Sequence, residues 1–188
     1  PLKHVSDSIL GQMLSNSVAN VIRNRFYDLC EGDVSFAKVR TLSVDDIVSV
    51  GTSKRKAEAI LSIAMLSSEA ELNNLNSLSD TDAYKKLISF KGIGPWTAKM
   101  FLLFYLQRSD VLPYEDVAFL QSYKWLYGIE KVSPDFVINS CKKWAPYSSI
   151  AARYLYRALD SGLVKNTTPD ELEFWPKPKC GYLKNELK

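Results

Sequence analysis

Helical periodicity constrains the fold of this 188-residue chain more than any other feature, because it runs through almost every segment. Apolar residues recur three and four positions apart, whereas the strict alternation typical of a half-buried strand is almost absent. The polar run SNS at 15–17 offers a break or a cap between a first and a second helix. The sequence therefore predicts an all-α fold.

Several helix ends can be predicted from their capping residues. Ser43, with Asp46 three positions later, has the pattern of a capping box, and Gly51 is a C-terminal stop. Pro134 suits the first position of a later helix, because a backbone N–H at that position would have no intrahelical acceptor and its absence costs no hydrogen bond. Residues 71–80, with the sequence ELNNLNSLSD, are predicted to form a loop.

Composition excludes several classes of function. The three cysteines, Cys30, Cys141 and Cys180, show no CxxC spacing, and the single histidine, His4, lies at the N-terminus. These features argue against a zinc or iron–sulfur centre and against histidine-based catalysis. No apolar run approaches the roughly 18 residues of a membrane span, so a cytosolic location is expected. The net charge of +3 permits a polyanionic partner without demanding one.

The stretch FKGIGPWTAK joins two predicted helices through Gly92, Gly94 and a proline that opens the second helix. This is a helix-hairpin-helix pattern, in which glycine allows backbone angles and close approaches that a side chain would block. The bare N–H groups of both glycines would suit a phosphate, and Thr97 and Lys99 could each reach a phosphate of a nucleic-acid backbone. The alternative is an ordinary tight turn between two helices.

A basic first turn opens another predicted helix, at Lys54, Arg55 and Lys56. Basic side chains at this end oppose the helix dipole, so helix stability does not explain them. The pattern indicates either a nearby anion or a solvated charged turn.

The stretch DVLPYEDVAF places Glu115 and Asp116 at a junction between a loop and a helix. The simpler interpretation is a helix-capping acid, because the helix dipole favours a carboxylate there. The alternative is a carboxylate aimed into a cleft, where it would stabilise an oxocarbenium-like sugar and orient or deprotonate water while a glycosidic bond breaks.

Five motifs, taken in order, resemble those of the helix-hairpin-helix DNA glycosylase superfamily. Within it the chain is similar to the alkylpurine branch, the bacterial 3-methyladenine DNA glycosylase II group, over residues 5–163. The motifs are GQMLS, VGTSKRKAEAI, LISFKGIGPWTAKMFLLF, LPYEDVAF and WAPYSSIAARYLYRAL. Five motifs in the right order are more specific than any one of them.

The resemblance implies a core with two helical lobes flanking a cleft, followed by a C-terminal tail. The tail would be a strap held by Phe174 and Trp175 or a partly mobile segment. The expected division is a core of 1–163, made of a lobe of about 30–110 with the hairpin at 88–99 and a lobe of 1–29 plus 111–163, and a tail of 164–188.

The resemblance also implies a catalytic residue and a reaction type. Asp116 matches the family's catalytic aspartate, three residues after the proline of the LPxxD pattern, and the role of Glu115 is left open. In members that also cut the strand, the residue two after the second hairpin glycine is a lysine that forms a Schiff base with the sugar. Trp96 stands there, which implies a monofunctional enzyme that leaves the strand intact. Its indole would also suit a positively charged alkylated purine, or would simply pack the hairpin.

Further residues match the base pocket and the duplex-contacting loop of the family. Gln12 matches a polar pocket residue, and Tyr114 and Tyr147 are further pocket walls. Met13, or Leu14 if the register is shifted by one, matches the side chain that wedges into the gap left by a flipped base. The alternative for Met13 is packing within the first helix. Val117, Phe119 and Tyr123 would give the pocket an unusual lining.

No cofactor is expected to be required, although relatives hold a monovalent cation beneath the hairpin. The carbonyl groups of Ile88, Phe90 and Ile93 match its ligands, so a structural Na⁺ or K⁺ ion would lie there. The expected partner is double-stranded DNA with damaged bases, and the protein is expected to bind it as a monomer. No membrane association is expected, and the location would be the bacterial nucleoid or a eukaryotic nucleus.

The expected function is base-excision repair of alkylated purines, with 3-methyladenine first and 7-methylguanine second, after the base flips out of the duplex. The missing four-cysteine iron–sulfur loop argues against specificity for oxidised pyrimidines or adenine mismatches. Three alternatives remain: a monofunctional glycosylase for another damaged base, either deaminated or oxidised, a non-catalytic helix-hairpin-helix DNA-binding module, and a helical scaffold for protein contacts.

Overall fold

Helices form the regular structure of the computed structural model, which describes residues 1–171. No strand occurs within those residues, which confirms the expected all-α fold. Within the same range, no helix is both long and apolar enough to cross a membrane. The α-helices are α1 Leu2–Gly11, α2 Asn16–Leu29, α3 Phe36–Arg40, α4 Val44–Ser49, α5 Lys54–Leu66, α6 Glu69–Asn74, α7 Asp80–Ile88, α8 Pro95–Met100, α9 Val117–Tyr127, α10 Pro134–Cys141, α11 Ser148–Asp160 and α12 Leu163–Asn166.

The chain divides into two compact units, of which unit 1 comprises Pro1–Arg108 and unit 2 begins at Ser109. Helix α1 belongs to unit 1 because it packs on α2, α5 and α8. The lobe predicted from residues 1–29 and 111–163 therefore differs from the observed division. The difference arises because the apolar face of α1, with Leu2, Val5 and Ile9, is buried in unit 1.

Helix α5 lies at the centre of unit 1, where it contacts α1, α3 and α4. Its buried face is rich in alanine, which lets neighbouring backbones approach closely. The predicted capping box is confirmed at the start of α4, where Ser43 and Asp46 bond each other's backbone N–H groups. Gly51 follows α4 with φ +99°. The break at 15–17 is also confirmed, since Ser15 caps α2.

The predicted loop at 71–80 is wrong over its first part, because α6 extends to Asn74 and a 3₁₀ turn follows at Leu75–Ser77. Ser68 caps α6 by accepting the backbone N–H of Glu71. Leu72 and Leu75 are fully buried. The three asparagines of this stretch lower its helix propensity, but the cap and the two buried leucines outweigh that preference.

In unit 2, α9 packs along α11. Phe119 and Tyr123 of α9 are fully buried and form an aromatic core with Trp144. They pack inside the unit, which corrects their predicted role as pocket lining, whereas Val117 is 78% exposed. Pro134 stands at the first turn of α10, as predicted. The expected strap residues Phe174 and Trp175 lie outside the described residues.

Candidate active site

The hairpin turn in unit 1 joins α7 to α8 and is closed by a hydrogen bond of 3.1 Å from the N–H of Ile93 to the carbonyl of Phe90. Gly92 has φ +91°, a conformation that favours glycine. A Cβ on Gly92 would lie 2.2 Å from the Cβ of Ala59 in α5. Gly92 is therefore required by the fold itself, because the turn sits directly against α5.

Gly94 is different, since the fold gives no steric reason for a glycine there. It is the N-terminal residue that caps α8, with φ −90° and ψ 176°, an extended conformation open to any residue. A Cβ at this position would meet no other atom within 4 Å. An added side chain would thus face open space, and Gly94 itself is partly exposed.

Thr97 is engaged inside unit 1, where it is only 2% exposed. Its hydroxyl accepts a hydrogen bond of 2.7 Å from the side-chain amide of Gln12. This burial corrects the expectation that the Thr97 side chain reaches a phosphate. The same bond attaches the predicted pocket residue Gln12 to the hairpin helix α8.

The position of Lys56 in the basic first turn of α5 is explained by contacts within unit 1, without an anion. Its ammonium group donates to the carbonyls of Leu10 and Gln12 at 3.0 and 2.7 Å, and thereby satisfies acceptors at the end of α1. Burial lowers the pKa of Lys56 below its usual value. Lys54 and Arg55 are exposed, so only these two basic residues remain available to an external anion.

The loop between α1 and α2 presents Met13 to solvent. Met13 is fully exposed and has φ +59°, a conformation that is strained for any residue with a side chain. Leu14 is 37% exposed. The alternative that Met13 packs within the first helix is wrong, because α1 ends at Gly11.

Trp96 and Lys99 both lie on α8 and are partly buried. Their contacts with a base and with a phosphate stay predictions. Ile88 ends α7 on the exposed side of the turn. The described residues contain no group of histidine, cysteine, aspartate or glutamate side chains that could hold a metal ion.

Asp116 lies in unit 2 as the N-cap of α9 and is 9% exposed. Its Oδ2 accepts the backbone N–H of Phe119 at 3.3 Å and the hydroxyl of Tyr156 at 3.1 Å. The capping interpretation is therefore confirmed. A nearly buried carboxylate held from two elements is also what electrostatic catalysis requires, so the two interpretations are compatible.

The contact between Tyr156 and Asp116 is not predicted by the sequence, because Tyr156 lies on α11, forty residues after Asp116. The motif WAPYSSIAARYLYRAL contains this tyrosine, but three other positions in the motif are also aromatic. Nothing in the sequence distinguishes the tyrosine that reaches the aspartate. Of the other predicted residues, Tyr114 is partly buried, whereas Glu115 and Tyr147 are exposed.

The residues that the structure describes are helical, with a glycine hairpin between two helices and an aspartate at a helix start, as expected for the helix-hairpin-helix class of DNA repair protein. The chain belongs to the HhH-GPD superfamily of base excision DNA repair proteins, whose family model matches residues 7–146. This match confirms the family expected from the sequence.

Several similar proteins are named as 3-methyladenine DNA glycosylases. DNA-3-methyladenine glycosylase 1 of Schizosaccharomyces pombe is 29% identical over 90% of this chain and 76% of its own length. DNA-3-methyladenine glycosylase of Bacillus subtilis is 27% identical over 80% of this chain, which spans only 54% of that relative. The solved 3-methyladenine DNA glycosylase of S. pombe, in complex with abasic DNA, superposes with a TM-score of 0.76 at 28% identity, over 85% of this chain and 81% of the other.

Proposed function

We propose that this protein is a DNA glycosylase that hydrolyses the N-glycosidic bond of alkylated purines, 3-methyladenine first and 7-methylguanine second. The observation that carries the proposal is Asp116, nearly buried at the start of α9 and oriented by two hydrogen bonds. The named activity of the relatives agrees with this chemistry.

The carboxylate of Asp116 would act on the sugar and on water. As the bond between C1′ and the purine nitrogen breaks, the base leaves with the bonding pair and positive charge develops on the sugar. A fixed carboxylate stabilises that charge without reorganising at the moment of reaction. Water then adds to C1′, and its proton passes to Asp116 or to solvent.

Trp96 supports hydrolysis without strand cleavage. An indole cannot form a Schiff base, which requires an amine, so water is the nucleophile at this position. The enzyme would therefore leave an abasic site in an intact strand. The partly exposed ring also offers a π-face to a cationic base.

The hairpin would hold the DNA backbone. Gly94 supports this role because the packing of unit 1 does not require a glycine at this position. A phosphate oxygen could approach its bare backbone, with Lys99 or the exposed Lys54 and Arg55 supplying positive charge. We propose duplex DNA with damaged bases as the partner of a monomeric enzyme, in the bacterial nucleoid or the eukaryotic nucleus.

A monovalent cation beneath the hairpin is compatible with the turn. The carbonyl of Phe90 already accepts the N–H of Ile93, and a carbonyl oxygen has a second lone pair for an ion. With the carbonyls of Ile88 and Ile93 it would supply the oxygen ligands that Na⁺ or K⁺ takes, and the bound charge would strengthen the hold on phosphate.

Base release tests the proposed reaction directly. The protein is incubated with methylated genomic DNA and with defined duplexes, and the free bases are identified by mass spectrometry. We expect 3-methyladenine and 7-methylguanine in solution, intact strands on a denaturing gel, and no covalent adduct after borohydride treatment.

Each contrary result has a distinct meaning in this assay. Release of only deaminated or oxidised bases would replace the substrate class. DNA binding without any base release would favour a non-catalytic module, and absent or salt-insensitive DNA binding would favour a protein scaffold. A borohydride adduct would show that a lysine such as Lys91 or Lys99 attacks the sugar.

Met13 is proposed to wedge into the gap left by the flipped base, because a fully exposed apolar side chain on a strained backbone has no structural purpose. We expect Met13→Gly to keep or slightly raise the melting temperature, since glycine relieves the positive φ. Its affinity for a duplex with an abasic site should fall about tenfold to a hundredfold, as expected for a buried methionine side chain.

Fluorescence anisotropy with abasic and intact duplexes measures this effect. Met13→Leu is the matched control, because it keeps an apolar side chain of similar volume and should retain most of the affinity. Equal affinities for Met13→Gly and wild type would exclude Met13 as the wedge and leave Leu14 as the candidate.

A further inference from the structure

Tyr156 lies on the face of α11 that meets the start of α9, and its hydroxyl donates a hydrogen bond of 3.1 Å to Oδ2 of Asp116. The segment that leads to Asp116 is attached to α11 at a second point. The N–H of Val111 donates to the hydroxyl of Ser149 at 2.9 Å, and the N–H of Ser149 donates to the carbonyl of Ser109 at 3.0 Å. Residues 109–116 are thus fastened to α11 at both ends.

A helix cap alone does not require this tyrosine. The N–H of Phe119 already donates to Oδ2 of Asp116, as in many helices that begin with aspartate. That bond comes from the helix that Asp116 itself caps. A second donor from a different helix, on the same oxygen, fixes the plane of the carboxylate.

The tyrosine remains a donor under ordinary conditions. Burial, as the largest cause, raises the pKa of Tyr156 far above its usual value, and the charge of Asp116 and the hydrogen bond to it raise the pKa further. The hydroxyl therefore keeps its proton throughout the physiological range. It holds the carboxylate but does not exchange a proton with it.

We propose that Tyr156 is a positioning residue, which orients the Asp116 carboxylate for attack of water on the sugar. This inference rests on the proposed glycosylase function. A carboxylate that must be held in one orientation loses rate when a support is removed, because part of its population no longer faces the developing charge. DNA binding should be unaffected, since the hydroxyl acts on the aspartate rather than on the backbone of DNA.

The test is Tyr156→Phe, which removes the hydroxyl and keeps the ring. We expect the single-turnover rate of 3-methyladenine release to fall about tenfold to a hundredfold, the usual effect of losing a hydrogen bond to a charged group. The affinity for abasic duplex should stay within about twofold. Tyr154→Phe is the matched control, because it removes a hydroxyl from the same helix at an exposed position and should retain the wild-type rate.

A double variant separates positioning from a merely structural role. If Tyr156 acts through the carboxylate, adding Tyr156→Phe to Asp116→Asn should lower the residual rate by much less than it lowers the wild-type rate. An equal fold-loss in both backgrounds would overturn the inference, and so would a wild-type rate in Tyr156→Phe alone. A wild-type protein that releases no base would instead overturn the proposed function, and the catalytic purpose of the bond with it.

Discussion

Asp116→Asn is expected to reduce the rate of base release by at least about a hundredfold while the protein stays folded. The loss follows because an amide carries no charge to stabilise the oxocarbenium-like sugar and is a poor proton acceptor. The fold should survive because asparagine caps a helix about as well as aspartate does. Its side-chain oxygen can still accept from the N–H of Phe119 and the hydroxyl of Tyr156.

Single-turnover release of 3-methyladenine, measured beside thermal unfolding, separates chemistry from stability. Glu115→Gln is the matched control, because it neutralises the adjacent but exposed carboxylate and should keep the wild-type rate. An Asp116→Asn protein with wild-type rate and melting temperature would show that another group performs the chemistry. If Glu115→Gln were inactive instead, the assignment would move by one residue.

The sequence predicts the elements of this protein well where local chemistry determines them. Ser43 with Asp46, and proline at the start of α10, act within one turn of helix, so their effect can be read from neighbouring letters. The same holds for Asp116 as an N-cap. Its predicted catalytic role depended on resemblance, because a capping acid and a catalytic acid look alike in sequence.

Tertiary contacts account for what the sequence could not predict. For Lys56 the sequence left open an anion site or a solvated charged turn, but its ammonium group satisfies carbonyls more than forty residues away. Thr97 looked like a phosphate ligand, but it is buried against Gln12. Tyr156 was missed for the same reason. In each case a polar side chain has a partner far along the chain, and spacing within a motif carries no information about it.

Replacement by alanine should change the stability of the protein much more at Gly92 than at Gly94, although both glycines belong to one motif. Gly92→Ala is expected to destabilise unit 1 by about 2–5 kcal/mol, the sum of a left-handed backbone with a side chain and of overpacking against Ala59. The melting temperature should fall by roughly 5–15 °C. Gly94→Ala should cost only about 0.5–1.5 kcal/mol, since the new methyl group meets no atom of the protein and the cost is that of a poorer N-cap.

DNA affinity also distinguishes the two glycines, because here the effect is expected in Gly94→Ala. If the bare backbone of Gly94 receives a phosphate, a methyl group there blocks the approach, and binding to duplex should weaken about tenfold to a hundredfold in a folded protein. Thermal unfolding and anisotropy titrations at two salt concentrations measure both effects. Wild-type affinity in Gly94→Ala would show that the hairpin backbone does not contact DNA, whereas an unchanged melting temperature in Gly92→Ala would show that the turn can move away from α5. The two variants thus separate Gly92, which the fold of the hairpin requires, from Gly94, whose backbone is proposed to bind DNA.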